Sequence, residues 1–281
     1  MTTPKLALFD FDGTIATKGV VSPSVLAGLR HLRDNGCITT ISTGRGYVRL
    51  KEVLGETFDE VVAPDAILIL EHGSKLVDAQ GNIIFGEFLS PEEIDHIIDF
   101  VRANIELFRL AWFNPEDVNR KIPLWCADEQ DVDAEIAARG HYAEVFTGSL
   151  EELHQALCQE RLTNVTFKLR NYVRVENLKL SFTRTATNVI FQDGNMEFLR
   201  ANINKGLAVL KVLHELQIAK EDTLLAGNAI NDVEMLDIGA GTAILVGPEA
   251  QRSQILPYLS DPTALVTVDS PDQLGDYLQQ A

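Results

Sequence analysis

The chain opens on a short apolar run, Leu6-Ala7-Leu8-Phe9. A run that brief reads as a buried strand, since it leaves no room for a helix. Ser22-Pro23 then opens a helix, with serine as the cap and proline in the first turn. Leu26, Leu29 and Leu32 form its apolar stripe and Gly36 ends it. Ile38–Ser42 is the next strand. Gly44-Arg45-Gly46 turns the chain into a second helix running to Leu54, with Gly55 as its stop, and Ala66–Leu70 is a third strand. Strand-helix-strand alternation of this kind predicts a parallel sheet with right-handed crossovers.

The middle of the chain carries a different pattern. Asp78-Ala-Gln-Gly81-Asn82 predicts a turn between two strands. Ser90-Pro-Glu-Glu93 is a capping box before Ile94, Ile97, Ile98 and Val101, and Ser149-Leu-Glu-Glu152 is another before Leu153 and Leu157. Strand-like pieces lie at Leu107–Phe113, Val165–Leu169 and Asn188–Phe191. Together they predict a smaller α+β domain inserted between about Phe85 and Gly194. From Asn204 the first pattern resumes. A helix carries Leu207, Leu210, Leu213 and Leu216, strands follow at Thr223–Ala226, Thr242–Val246 and Ala264–Val268, and Ser270-Pro271 caps a last helix.

Composition narrows the function classes. The 281 residues correspond to about two domains. With 46% hydrophobic and 23% charged residues, the chain is ordinary for a packed protein, which argues against disorder. A net charge of −17 gives no electrostatic footprint for nucleic acid or an anionic membrane. No apolar run approaches the roughly 18 residues of a membrane span. The first residues lack a signal-peptide pattern. Cys37, Cys126 and Cys158 are odd in number and far apart. They point to buried thiols in a reduced, cytoplasmic compartment, not to a disulfide frame or a zinc site. Residues 127–152 hold eight acids and one arginine and read as a solvated face. Lys168, Arg170, Arg174, Lys179 and Arg184 face one acid, Glu176, and read chiefly as exposed strand or loop, with an anionic substrate or partner as the sharper alternative.

Four short segments carry candidate chemistry. In Phe9-Asp10-Phe11-Asp12-Gly13-Thr14, alternation sends Asp10 and Asp12 to one side of an extended chain, at the strand end where open α/β sheets bind ligands. One carboxylate suits a nucleophile and the other a general acid and base; an ordinary Asp-Gly turn fits the same residues. Ser42-Thr43-Gly44-Arg45 offers a hydroxyl and free backbone N–H groups at a helix start, as an anion site or a plain cap. Lys205 opens a helix, against the macrodipole, which makes sense if its ammonium faces an anion or carboxylates. Gly227-Asn228-Ala229-Ile230-Asn231-Asp232 follows a strand and offers oxygen ligands for a hard cation, or, through Asp232, a helix cap.

In this order the four segments resemble the motif set of the haloacid dehalogenase-like phosphohydrolases: Asp-x-Asp-Gly-Thr, Thr-Gly-Arg, a helix-opening Lys and Gly-Asp-x-x-Asn-Asp. The long insertion between the second and third motifs resembles that family's class II cap, found in Cof-type and related sugar phosphatases. The resemblance implies an α/β fold, a Rossmann-like doubly wound core of residues 1–84 and 195–281, with an α+β cap of residues 85–194. It implies that Asp10 attacks phosphorus and forms an aspartyl phosphate. Asp12 would protonate the leaving oxygen and then activate water. Thr43 and the Gly44 N–H would hold phosphate oxygens, and Lys205 would neutralise Asp10 and the phosphoryl group. Mg²⁺ would lie among Asp10, the Asp12 carbonyl and residue 228, with Asp232 in metal support and Asn231 on the phosphate side. Position 228 departs from the pattern, since asparagine stands where the family has aspartate, and affinity falls with ligand charge.

The leading expectation is therefore a Mg²⁺-dependent phosphatase for a small phosphorylated metabolite, a sugar phosphate first. A phosphomutase of the same superfamily and a non-catalytic sugar-phosphate binder are the alternatives. His72, near where the cap should leave the core, reads as a packing or capping loop residue with substrate contact as the alternative, Trp112 and Trp125 as core, and Arg45 as a partner for phosphate, a helix end or an acid.

Overall fold

The computed structural model describes residues 3–170, 187–192 and 194–281. The chain forms two compact units, one of Met1–Phe85 with Asn204–Ala281 and one of Gly86–Ile203.

The first unit is built on an eight-stranded sheet. In chain order its strands are β1 (Leu6–Asp10), β4 (Ile38–Ser42), β5 (Ile67–Leu70), β6 (Lys75–Asp78), β7 (Ile83–Gly86), β14 (Thr223–Gly227), β15 (Thr242–Val246) and β16 (Val266–Val268). The two-residue strands β2 (Ala16–Thr17) and β3 (Val20–Val21) form a separate hairpin just after β1. The sheet order is β16-β15-β14-β1-β4-β5-β6-β7. Pairing is parallel from β16 to β5, and β6 runs antiparallel to β5. All five residues of β1 are buried, as expected of a strand covered on both faces. The chain leaves β1 toward β4 on one side and returns to β14 on the other. The carboxyl end of β1 is thus a topological switch point, where doubly wound sheets hold ligands. Between β6 and β7, Asp78 Oδ1 accepts from the N–H groups of Gln80 and Asn82 and fixes the expected turn.

Helices α1 (Pro23–Asp34), α2 (Tyr47–Leu54) and α3 (Phe58–Val61) follow the early strands. Ser22 caps α1, and Gly55, with φ +51°, ends α2. The helix Lys205–Leu216, α7 below, packs Val209, Val212 and Leu213 on Leu6, Leu8 and Leu225 of the sheet. This corrects the expected leucine stripe, because Leu207 and Leu210 are exposed. The buried Lys205 sets the helical phase, and Ala208, Val209, Val212 and Leu213 share its face.

In the second unit the strands are β8 (Phe108–Pro115), β9 (Ile122–Cys126), β10 (Ala143–Thr147), β11 (Leu162–Leu169), β12 (Thr187–Gln192) and β13 (Asn195–Arg200), in sheet order β10-β9-β8-β11-β13-β12. Its helices are α4 (Pro91–Ala103), α5 (Val132–Arg139) and α6 (Leu150–Cys158). Ser90 and Ser149 make the expected capping boxes. The apolar faces of α4 and α6 pack over Phe108, Phe167 and Phe198, whose rings meet edge to face at 5.3 and 5.9 Å. Trp125 is buried in this core, and Trp112 packs, partly buried, on a smaller cluster around Leu110 and Leu124.

The unit ends at Ile203 and not at Gly194, because β13 pairs with both β11 and β12. The acidic tract is only partly a solvated face. Glu135 is buried against Arg109 and Arg139, and Asp128 meets Arg170 at 2.8 Å. Arg174, Lys179 and Arg184 of the expected basic cluster lie outside the described residues. Cys37 and Cys126 are buried, whereas Cys158 is exposed. Burial pushes the Cys37 thiol up to about 12. Among the described residues, no helix is long and apolar enough to cross a membrane.

In the first unit the last helix, Pro271–Leu278, crosses α1 at very short range. A Cβ on Gly275 would fall 2.4 Å from the Ser24 carbonyl carbon and 2.5 Å from the Val25 nitrogen. Alanine is the better helix former by about 1 kcal/mol. Overpacking against rigid backbone outweighs that, so Gly275→Ala should lose about 1–3 kcal/mol of stability in urea unfolding. Unchanged or higher stability would show that the two helices separate freely.

Candidate active site

Three strand ends meet at the switch point. Asp10 closes β1 and sits beside Ser42, the last residue of β4. Ala226 lies opposite Phe9, so Gly227 and Asn228 leave β14 next to Asp10. Parallel register thus delivers the first, second and fourth motifs to one edge, although more than 200 residues separate them in the chain.

The third motif arrives on α7 (Lys205–Leu216). Asn204 caps this helix by accepting from the Leu207 N–H at 2.8 Å. Lys205 is only 1% exposed, and its Nζ donates to Asp10 Oδ1 and Asp232 Oδ1, each at 2.6 Å. Burial works against the charge of the ammonium, but the two carboxylates overrule it and raise its pKa. The Asp10 carboxyl is pushed up to about 6, first by burial and then by Asp232. Lys205 and the Thr14 hydroxyl, which donates to Asp10 Oδ2 at 3.1 Å, act the other way.

Asp232 uses both oxygens. Oδ1 meets Lys205, and Oδ2 accepts from the N–H groups of Asn228 and Ala229 at 2.9 and 3.0 Å. It is therefore the cap foreseen as the plainer reading and a lysine partner at once. With both oxygens engaged, it fits metal support better than direct ligation.

Asn228 is wedged between Asp10 and Gly13. A Cβ on Gly13, whose φ is +88°, would lie 2.1 Å from one of its amide atoms. The other amide atom lies 3.2 Å from both Asp10 Oδ2 and the Asp12 carbonyl oxygen. With nitrogen in that place, the amide donates to both. With oxygen there, three oxygens converge on one space, a donor set suited to a hard cation such as Mg²⁺. The residues present therefore fit a metal in one amide orientation and satisfy each other without it in the other. Gln251, which nothing in the sequence pattern marked, donates to the Asn228 carbonyl at 2.7 Å.

Asp12 is gripped by Arg45 through two 2.8 Å hydrogen bonds, with the guanidinium 5.5 Å from the Phe11 ring centre. Of the expected partners for Arg45, the structure has an acid. Thr43 is buried, and its hydroxyl accepts from the Arg45 N–H at 3.2 Å. His72, also buried, holds φ +58° and lays its ring on Gly44, where a Cβ would meet it at 2.3 Å. Its Nδ1 lies 3.4 Å from Asn231 Nδ2, so it bridges the second and fourth motifs. The arrangement offers a buried carboxylate beside a fixed cation, a second carboxylate two residues on and backbone donors at a loop.

One buried ammonium between two carboxylates leaves the cluster short of positive charge. In chelator-treated protein, Lys205→Met should lose about 3–5 kcal/mol of stability, since it strands two buried acids. Asp10→Asn should instead gain stability at neutral pH. A carboxyl raised in the folded state favours folding when protonated, so that contribution fades as pH rises from its ordinary 3.8 through about 6. The advantage of asparagine should accordingly be complete only above that window. Urea unfolding of both variants across pH checks it, and a stability loss in Asp10→Asn at neutral pH would contradict it.

A family model for haloacid dehalogenase-like hydrolases matches residues 7–251. An HMP-PP phosphatase of Yersinia pseudotuberculosis is 28% identical over 271 residues, covering 91% of this chain and 88% of that one. An HMP-PP phosphatase of Yersinia pestis is 29% identical over 269 residues, with the same coverage. Among solved structures, a haloacid dehalogenase-like hydrolase from B. subtilis superposes with a TM-score of 0.75 at 17% identity, covering 98% of this chain and 99% of that one. A subclass IIB sugar phosphatase gives 0.74 at 17% identity, with 96% and 95% covered. Identities that low speak to the fold, whereas the family model spans both units' sequence, and the chain belongs to the haloacid dehalogenase-like hydrolases.

Proposed function

We propose that this chain is a phosphatase for a small phosphorylated metabolite and that Asp10 is its nucleophile. The observation that carries the reading is the Asp10 carboxylate at the switch point, held by Lys205 at 2.6 Å. A carboxylate attacking a phosphate dianion needs a cation already in place, and positioning with electrostatics carries phosphoryl transfer. A carboxylate oxygen of Asp10 bonds to phosphorus as the ester oxygen departs with a proton from Asp12. Asp12 then takes a proton from the water that splits the acyl phosphate, which restores Asp10 and frees inorganic phosphate. The Asp12–Arg45 fork exchanges for these contacts during the cycle. Thr43 and the Gly44 N–H hold phosphoryl oxygens, with Asn231 on the same side. The Asp10 carboxylate, the Asp12 carbonyl and the Asn228 amide oxygen would hold Mg²⁺, which when bound draws charge from the phosphoryl oxygens. We read Gly86–Ile203 as the cap that sets specificity.

The relatives' names set the substrate panel: HMP-PP, then sugar phosphates. Phosphate release from at least one member is expected, and Asp10→Asn should lose on the order of 10³-fold or more. An isomerised hexose phosphate without free phosphate would point to a mutase. Binding without turnover would leave a sugar-phosphate binder.

Position 228 gives a second test. Asn228→Asp adds an anionic ligand and removes the amide hydrogens that satisfy Asp10 and the Asp12 carbonyl without metal. The variant should need less Mg²⁺ for half-maximal activity and melt lower in chelator. A shared magnesium midpoint, or a weaker one for the variant, would mean that residue 228 does not ligate the metal.

A further inference from the structure

In the second unit, α4 and α6 bring together Asp95, His154 and Cys158. Their ligand atoms all lie within 4.8 Å of one another. His154 and Cys158 are four residues apart on α6 and so share one face of the helix. His154 Nε2 lies 2.7 Å from Asp95 Oδ1 on α4, and Glu151 stands 3.9 Å from His154 Nδ1. We propose that Asp95, His154 and Cys158 form a zinc-class metal site that clamps α4 to α6, with water in the fourth position.

The donor set argues for the metal class. One carboxylate, one imidazole and one thiolate are the ligands zinc takes, while magnesium and calcium avoid sulfur. Ligands of a tetrahedral zinc at about 2.0–2.3 Å stand roughly 3.3–3.6 Å apart, inside the spread seen here. The His154–Asp95 contact must open by less than an ångström, and the Asp95 side chain, 58% exposed, has room to move. The three cysteines looked unsuited to zinc because they are scattered in sequence. This site uses only Cys158, with partners the fold supplies.

The same residues could be mistaken for a Cys-His-Asp nucleophile. Electrostatics oppose that role. Burial, Asp95 and Glu151 all push the Cys158 thiol upward, whereas a reactive cysteine needs it lowered. His154 Nε2 is also engaged by Asp95, at 2.7 Å. Negative surroundings that keep a proton on sulfur attract a divalent cation instead. On binding, the metal–sulfur bond forms as the thiol proton leaves to solvent. Arg102 stands near the site, but it is shared between Asp99 and Glu151.

The test uses the full chain in excess Mg²⁺, so that hard oxygen sites are filled, with Co²⁺ as a coloured stand-in for zinc. One equivalent should bind with a thiolate-to-cobalt charge-transfer band that Zn²⁺ abolishes by displacement. Cys158→Ser should lose the band, and His154→Ala should weaken binding at least about ten-fold. Both variants should keep the wild-type circular dichroism and Mg²⁺-supported hydrolysis. Zn²⁺ should also shield Cys158 of the unaltered chain from alkylation, mapped by mass spectrometry, which decides the matter should a variant misfold. No thiolate band, a band that survives Cys158→Ser, or alkylation indifferent to Zn²⁺ would overturn the proposal.

Discussion

The first unit is organised around one buried ammonium. Lys205 Nζ bridges Asp10 and Asp232, and each partner has a further task. Asp10 ends the central strand, and Asp232 holds the loop after β14 through two backbone N–H groups. Lys205 itself opens α7, whose phase it fixes against the sheet. A sheet, a helix and a loop are therefore tied at one charged point. Such a point is expensive to desolvate, and removing its one ammonium costs far more, because two buried acids are then stranded. The geometry that the proposed nucleophile needs is also the geometry that satisfies buried charge.

Much of this was legible in the sequence because each motif sits at an element boundary with strong local signals. The strands β1, β4 and β14, the Ser22 cap and the glycine stop at Gly55 all fall where pattern predicts them. What the sequence hides is phase and partner. Four leucines at helical spacing suggested one face for α7, but a buried lysine turns that face toward Ala208 and Val209. Asp232 read as a cap or a metal helper because nothing local announces a lysine 27 positions earlier. Gln251 and His72 act through tertiary contacts that no periodicity encodes.

The second unit was harder to read for a different reason. α5 and β10 were missed because residues 127–152 look like a solvated acidic stretch, and β9, which ends at Cys126 just before it, was missed as well. Several of those acids are in fact paired, with Glu135 buried between two arginines. Charge pairing between residues far apart in sequence, as in Arg109–Glu135, is invisible to a composition window. The boundary at Ile203 also depended on β13, which extends the unit's sheet beyond the Gly194 turn.

The central claim is that the lysine-held carboxylate at the end of β1 is the group that attacks phosphorus. Its most direct test is to quench the enzyme during turnover of a substrate it hydrolyses, reduce the acyl phosphate with borohydride and map the modified residue by mass spectrometry. The account predicts a single modification, at Asp10. Modification at another carboxylate, or steady turnover with no acyl intermediate at any residue, would contradict it.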